Sequence, residues 1–311
     1  MKKLQNSLMI VSSLLVLMAC GSEFQPRTSL QEVRVLAVEA SPLEVGLAES
    51  VTINPVIYVP DERSVVSYRW HYCPINFGAA AGYACIDPDC DVDVASDALD
   101  ASISITPSDE LFACLGILAT KAEADDSGET DSTGGMDPDA INKVDTALFL
   151  EMTDDEGRVF RHVKAIPLWK EKPEVINQAP VVSDVIIDGV SVLDGSPAEA
   201  EREADIEIRV VIDPASMGTY INSLEEVVDD EAIVSFYSTA GGFDADRKDG
   251  LDVTNTLSFS AGEMAKEAWE PPLALGPDVD SLDIYVVARD GQGGQTAAGP
   301  FTIDLVPATS G

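Results

Sequence analysis

Ile206, Ile208, Val210 and Ile212 alternate with Asp205, Glu207 and Arg209. Only an extended chain, whose side chains point to opposite faces with period two, puts all four branched residues on one side. The pattern recurs, and it fixes the fold class. Between residues 33 and 166 it marks Val33–Val38, Val51–Ile57, Val66–Tyr72, Ile103–Ile105, Leu111–Leu118, Thr146–Met152 and Arg158–Ile166. Further on it marks Val182–Ile187, Ile206–Ile212, Ala232–Ser238, Val253–Phe259, Leu282–Ala288 and Phe301–Val306. Clusters of Pro, Gly, Asp and Asn bound these runs, as turns do between half-buried strands. The expected fold is all-β, with two antiparallel β-sandwiches in tandem. Ser223–Asp229 and Ala261–Trp269 read as short helices that leave the class unchanged.

The two strand sets fix the expected organisation. The first sandwich covers 30–168 and the second 180–307. Between them Trp169–Pro180 reads WKEKPEVINQAP, whose prolines and mixed polar residues fit a linker over 169–179. Two acidic stretches interrupt the first sandwich. Asp87–Asp100 holds six aspartates and no base, and Lys121–Ala140 reads as a Gly- and Ser-containing surface loop.

The amino terminus is a targeting segment over 1–19. Lys2 and Lys3 precede an apolar run of 11 residues, Leu8–Met18. That run is too short for a bilayer, which takes about 20 apolar residues, but has the length of a signal-peptide core. It ends in Leu17-Met18-Ala19-Cys20. A small residue before a cysteine at this place resembles the bacterial lipobox. The resemblance implies cleavage before Cys20 and acylation of its sulfur and amino group, palmitate being one such acyl chain. Several chains anchor firmly where a single one binds only marginally. Residues 20–29 then form a lipidated polar tether. Gly21, standing where Asp favours inner-membrane retention in enterobacterial lipoproteins, points to the outer membrane.

Cys73, Cys85, Cys90 and Cys114 remain, with 11, 4 and 23 intervening residues. An even number in an exported chain implies two disulfides, and four cysteines allow three pairings. The expected pairs are Cys85–Cys90, closing CIDPDC, and Cys73–Cys114, both of the latter in strand-like apolar surroundings. Zinc would require CxxC-type pairs or histidine partners, which these spacings do not offer.

The run VRVLAVEASPLEVGLAESVTINPVIYVPDERSVVSYRWHYCP resembles the opening of immunoglobulin-like domains in secreted bacterial lipoproteins. In those domains a strand corresponding to Val66–Tyr72 holds a core tryptophan, the position of Trp70. NQAPVVSDVIIDG and LDIYVVARDGQGG resemble the opening and the final hairpin of a second such domain, of the kind seen in PKD-like, cadherin-like and fibronectin type III-like modules. The resemblance implies two tandem Ig-like sandwiches serving as spacers, adhesion modules or binding partners. A fold supports many functions, so the activity must be argued from a site.

Composition narrows the functions. With 19 basic and 55 acidic residues the formal charge is −36. Such a surface repels phosphate backbones, so nucleic acid is not an expected partner. Histidine chemistry has only His71 and His162 to draw on. Both fall in strand patterns, no GxSxG occurs, and an acyl-transfer triad needs all of its members. Asp154-Asp155-Glu156-Gly157 reads as a hairpin turn, not a glycosidase carboxylate pair. Gly291–Gln295 reads as a turn between strands, because a phosphate loop needs a following helix. Calcium is the one ligand the sequence raises, since it takes clustered oxygens. The candidates are Asp87, Asp89, Asp91 and Asp93, and Asp244, Asp246, Asp249 and Asp252. The second group fails the register of an EF-hand loop. No cofactor is expected apart from this calcium.

The expected function is therefore non-enzymatic binding or scaffolding at the cell envelope. The membrane is engaged through the anchor, and other envelope or surface proteins are the partners. A calcium-stabilised adhesion module and an envelope hydrolase with an unfamiliar site are the alternatives.

Overall fold

The computed structural model describes residues 28–124, 142–174, 176–202, 204–221, 227–259, 275 and 279–307. The signal segment, Cys20 and residues 20–27 of the expected tether lie outside them, as do 261–269 and 125–140 of the expected acidic loop, whose first residues, 121–124, belong instead to a helix.

The first strand set comprises β1 (Arg34–Ser41), β2 (Val45–Gly46), β3 (Val51–Tyr58), β4 (Val65–Cys73), β5 (Val92–Val94), β6 (Ile103–Ile105), β7 (Lys143–Asp154) and β8 (Val159–Trp169). A three-stranded sheet, β1-β3-β6, covers a five-stranded one, β2-β8-β7-β4-β5. Val38, Ile53 and Ile105 from one sheet meet Trp70, Leu148, Leu150, Met152 and Ile166 from the other. Trp70 is 2% exposed, in the core position that the resemblance implies. The β7–β8 turn is the expected Asp154–Gly157 hairpin. The Asp154 carboxylate accepts the backbone N–H groups of Glu156 and Arg158 at 3.0 and 2.8 Å. Gly157 takes a φ of +79°, which glycine tolerates.

One expected strand is a helix. Leu111–Leu118 lies within α1 (Pro107–Ala124). Pro107 opens it, and Asp109 and Glu110 occupy its first turn, where carboxylates oppose the helix dipole. Ala, Leu, Lys and Glu then continue it with little entropic cost.

The second set comprises β9 (Val182–Ile187), β10 (Val190–Ser191), β11 (Ala198–Glu201), β12 (Ile206–Ile212), β13 (Thr219–Ile221), β14 (Val227–Asp229), β15 (Ile233–Ser238), β16 (Gly242–Phe243), β17 (Arg247–Asp249), β18 (Asp252–Ser258), β19 (Ser281–Arg289) and β20 (Gln295–Val306). Sheets β10-β9-β12-β18-β16 and β11-β20-β19-β15-β17 enclose the second core. Ile206, Ile208, Val210 and Ile212 are all fully buried, as their alternation requires. The expected helix Ser223–Asp229 is corrected where it is described: Val227–Asp229 is β14, paired with β13.

The two sandwiches share a pattern. In each, a short early strand runs parallel to the last one, β2 with β8 and β11 with β20. The long pairings β4·β7, β7·β8, β12·β18 and β19·β20 are antiparallel.

Thr28 and Ser29, expected in the tether, are buried. Ser29 bridges Ser238 at the end of β15, with Leu30 N–H donating to Ser238 O at 2.9 Å. The expected linker is also held in place. Trp169 ends β8, Glu171 N–H donates to Asn142 Oδ1 at 2.9 Å, and Asn177 Nδ2 donates to Asp290 Oδ2 at 2.7 Å.

Candidate functional site

The most individual part of the first sandwich is a cysteine-stapled insert between β4 and β7. After β4 the chain folds back on itself. Phe77 N–H donates to Ala84 O at 2.9 Å and Ile86 N–H to Ile75 O at 3.1 Å. This fold-back brings Cys85 to Cys73, with Cα atoms 5.6 Å apart, and they form a disulfide. It also covers the outer face of β7. Ala147 and Phe149, which alternate with core residues, are therefore buried under Tyr83 and Cys85.

A one-turn helix, Pro88–Cys90, follows. Asp87 caps it, accepting Asp89 N–H at 2.9 Å. It presents Cys90 to Cys114 on α1, at a Cα separation of 5.0 Å, and these form the second disulfide. The pairing is thus Cys73–Cys85 and Cys90–Cys114, not the expected Cys85–Cys90 and Cys73–Cys114. The reason is geometric. The fold-back delivers Cys85 to β4, and Cys114 belongs to a helix over the Pro88–Cys90 turn, not to a strand.

Helix α1 is fastened at further points. Ser108 Oγ accepts Ala48 N–H at 2.9 Å. Lys121 binds Asp87 and Asp89 at 2.8 and 2.7 Å. Its ammonium holds the Asp87 carboxyl below the usual carboxylate range, and the pair raises Lys121 in turn. Leu111 and Cys114 point inward. On the adjoining face Phe112 and Leu115, neighbours at i and i+3, are 57% and 46% exposed. The fold-back loop exposes Phe77 and Ile86 as well. The sequence reading missed this exposed pair because it placed both residues in a strand.

The calcium candidates are dispersed and mostly engaged by bases. Asp87 and Asp89 share Lys121, while Asp91 and Asp93 share Arg69. Asp252 pairs with Arg209. Asp249 ends β17 beside the turn into β18, and Asp244 N–H donates to Thr256 O at 3.0 Å. Asp246 lines an open cleft of about 380 Å³ with Thr28, Ser235, Phe236, Tyr237 and Arg247. Among the described residues no three His, Cys, Asp or Glu side chains converge in a metal-binding group. A cation at the Asp87–Asp93 stretch would have to displace Lys121 or Arg69.

His71 makes the arrangement nearest to a catalytic dyad. Its Nδ1 lies 2.6 Å from Asp91 Oδ1, and its ring stacks on Phe149 at 4.7 Å. Nε2 faces Glu151 at 3.9 Å and has no hydrogen-bond partner among the described residues. A nucleophile hydroxyl belongs on that nitrogen in a triad. The geometry is instead that of a structural histidine joining β4 to the insert. His162 stands elsewhere, on β8, where burial pulls it down to about 4, with Lys164 and Arg289 adding to the effect.

No protein-family model matches the chain, and no curated protein matches it. Solved structures overlap it loosely. The D00–D0 domain of intimin aligns with 88% of this chain and 98% of its own, at 11% identity and a TM-score of 0.23. The fibronectin(III)-like modules of Clostridium thermocellum CbhA align with 88% and 93%, at 12% identity and a TM-score of 0.22. The Yersinia pseudotuberculosis adhesin InvE aligns with 86% and 58%, at 10% identity and a TM-score of 0.22. Superpositions this loose carry no argument about function. The all-β sandwich architecture rests on the strand pairings themselves.

Proposed function

We propose that this chain is a lipid-anchored outer-membrane protein with a non-enzymatic binding or scaffolding role, and that the stapled insert is its binding surface. Cys20 is the anchor in this reading. The observation that carries the binding role is the exposed Phe112–Leu115 pair on a helix fixed by a disulfide and by Lys121. A pinned helix loses little entropy on docking, so its apolar face binds at low cost. Asp109, three residues before Phe112, borders that face, and the whole chain carries −36. Charge complementarity then assigns the partner's chemistry: an envelope protein with an apolar groove and a basic rim. The anchor is tested by Cys20→Ala, which abolishes fatty-acid labelling and membrane fractionation; continued labelling would refute it. The binding role is tested by in-cell crosslinking with partner identification. It predicts a discrete envelope-protein adduct, and recovery of the chain uncrosslinked contradicts it.

A further inference from the structure

Tandem β-modules usually flex about their linkers, because the surfaces between them are small and polar. Here the contact between sandwiches extends beyond the linker and draws on three separate elements.

The first is the segment entering β1. Besides the Leu30 bond, Ser238 N–H donates to Thr28 O at 3.0 Å, so the chain that begins the first sandwich is paired with the edge of β15 in the second.

The second is β1 itself. Its pairing with β3 shifts register between Val35 and Ala37. Val38 faces the first core, while Leu36 and Ala37 join Leu30 and Val287 in a separate buried cluster between the sandwiches. Tyr58, Tyr237 and Tyr285 border that cluster. The β1 backbone is bonded from across the contact. Arg289 Nη2 donates to Leu36 O at 3.0 Å, Gln295 Nε2 donates to Val38 O, and the Glu39 carboxylate accepts Ala297 N–H at 2.8 Å.

The third is the turn Asp290–Gly294. Asp290 is 1% exposed and shapes the turn by accepting Gln292 N–H and Gly294 N–H at 2.8 and 2.7 Å. The turn reaches the first sandwich beside β8, where the buried Lys164 ammonium donates to Gly293 O. A Cβ on Gly294 would lie 2.1 Å from Asp290 Oδ2 and 2.9 Å from Leu43 Cδ1. Only glycine lets the backbone approach so closely.

From these contacts we infer that the two sandwiches form one cooperative body, with the Asp290–Gly294 turn bolted into the first. Burial of apolar surface on both sides, with the carbonyls of Leu36, Val38 and Gly293 paired across the contact, makes separation costly. The attitude of the insert is then fixed relative to the second sandwich.

The test is hydrogen–deuterium exchange on the full chain across a urea series. Peptides from β7 and β12, one in each core, should show the same opening free energy and the same midpoint. Gln295→Ala leaves the Val38 carbonyl unpaired and should speed exchange about tenfold in both peptides. Gly294→Ala should do the same or more. Gln295→Ala keeps the test decisive if Gly294→Ala does not fold. Separate midpoints in the unmodified chain, or acceleration confined to β12, would overturn the inference.

Discussion

Cys90 and Cys114 join a one-turn helix to the middle of α1, with their Cα atoms 5.0 Å apart. This crosslink closes a loop of sequence separation 24. Removing both cysteines as alanines should cost about 3 kcal/mol by the chain-entropy account. Protease sensitivity should rise within α1, and exchange in the β7 and β12 peptides should quicken together, because the loss falls on one cooperative body. Non-reducing peptide mapping should recover Cys73 with Cys85 and Cys90 with Cys114. Recovery of a Cys85–Cys90 peptide would contradict the insert's architecture.

Acid should weaken the protein before its carboxylates titrate. His162 has its pKa lowered from 6.5 to about 4, chiefly by burial. Between those values the unfolded chain binds more protons than the native one, so stability falls as pH falls. The full effect is up to about 3 kcal/mol. Urea midpoints at pH 7 and pH 5 should therefore differ more in the natural chain than in His162→Gln. Equal differences would contradict a half-buried His162 held neutral in the native state.

At the alkaline end the sign follows from Lys164. Burial lowers it from 10.5 to about 8, against the pull of Asp290 and Glu39. The charged form is penalised in the native state, so stability should rise as pH climbs from 8 towards 10.5. Lys164→Met should flatten this rise. A profile unchanged by the substitution would place the lysine in solvent.

Calcium should leave the melting temperature unmoved at millimolar concentration, with or without chelator, because Lys121 and Arg69 already pair with the four carboxylates of the Asp87–Asp93 stretch. A ligand that binds only the native state raises Tm by mass action. A clear upward shift would show that a cation displaces those bases.

The long strands were legible because burial on one face writes period two into the chain, as in Ile206–Ile212. Strands of two or three residues, such as β2, β10, β16 and β17, are too short to carry a period. The run LFACLGIL fits a buried strand or a helix equally by hydropathy. What separates them is the start signal Pro107 with Asp109 and Glu110, and it was outweighed by the surrounding strands. The aspartate runs were visible, but their basic partners are distant in sequence, as Lys121 is from Asp87. Gly291–Gln295 was legible as a turn between strands. That Gly294 also abuts Leu43 is a long-range contact that no local pattern encodes.

In the proposed role, the stapled insert binds an envelope partner through Phe112 and Leu115. Its most direct test replaces Phe112 with a photo-crosslinking residue in cells, and places the same probe at Val190, exposed on the second sandwich, as a control. A discrete envelope-protein adduct is expected from position 112, absent from position 190 and lost when Leu115→Asp is added. No adduct from 112, or the same adducts from both positions, would contradict it.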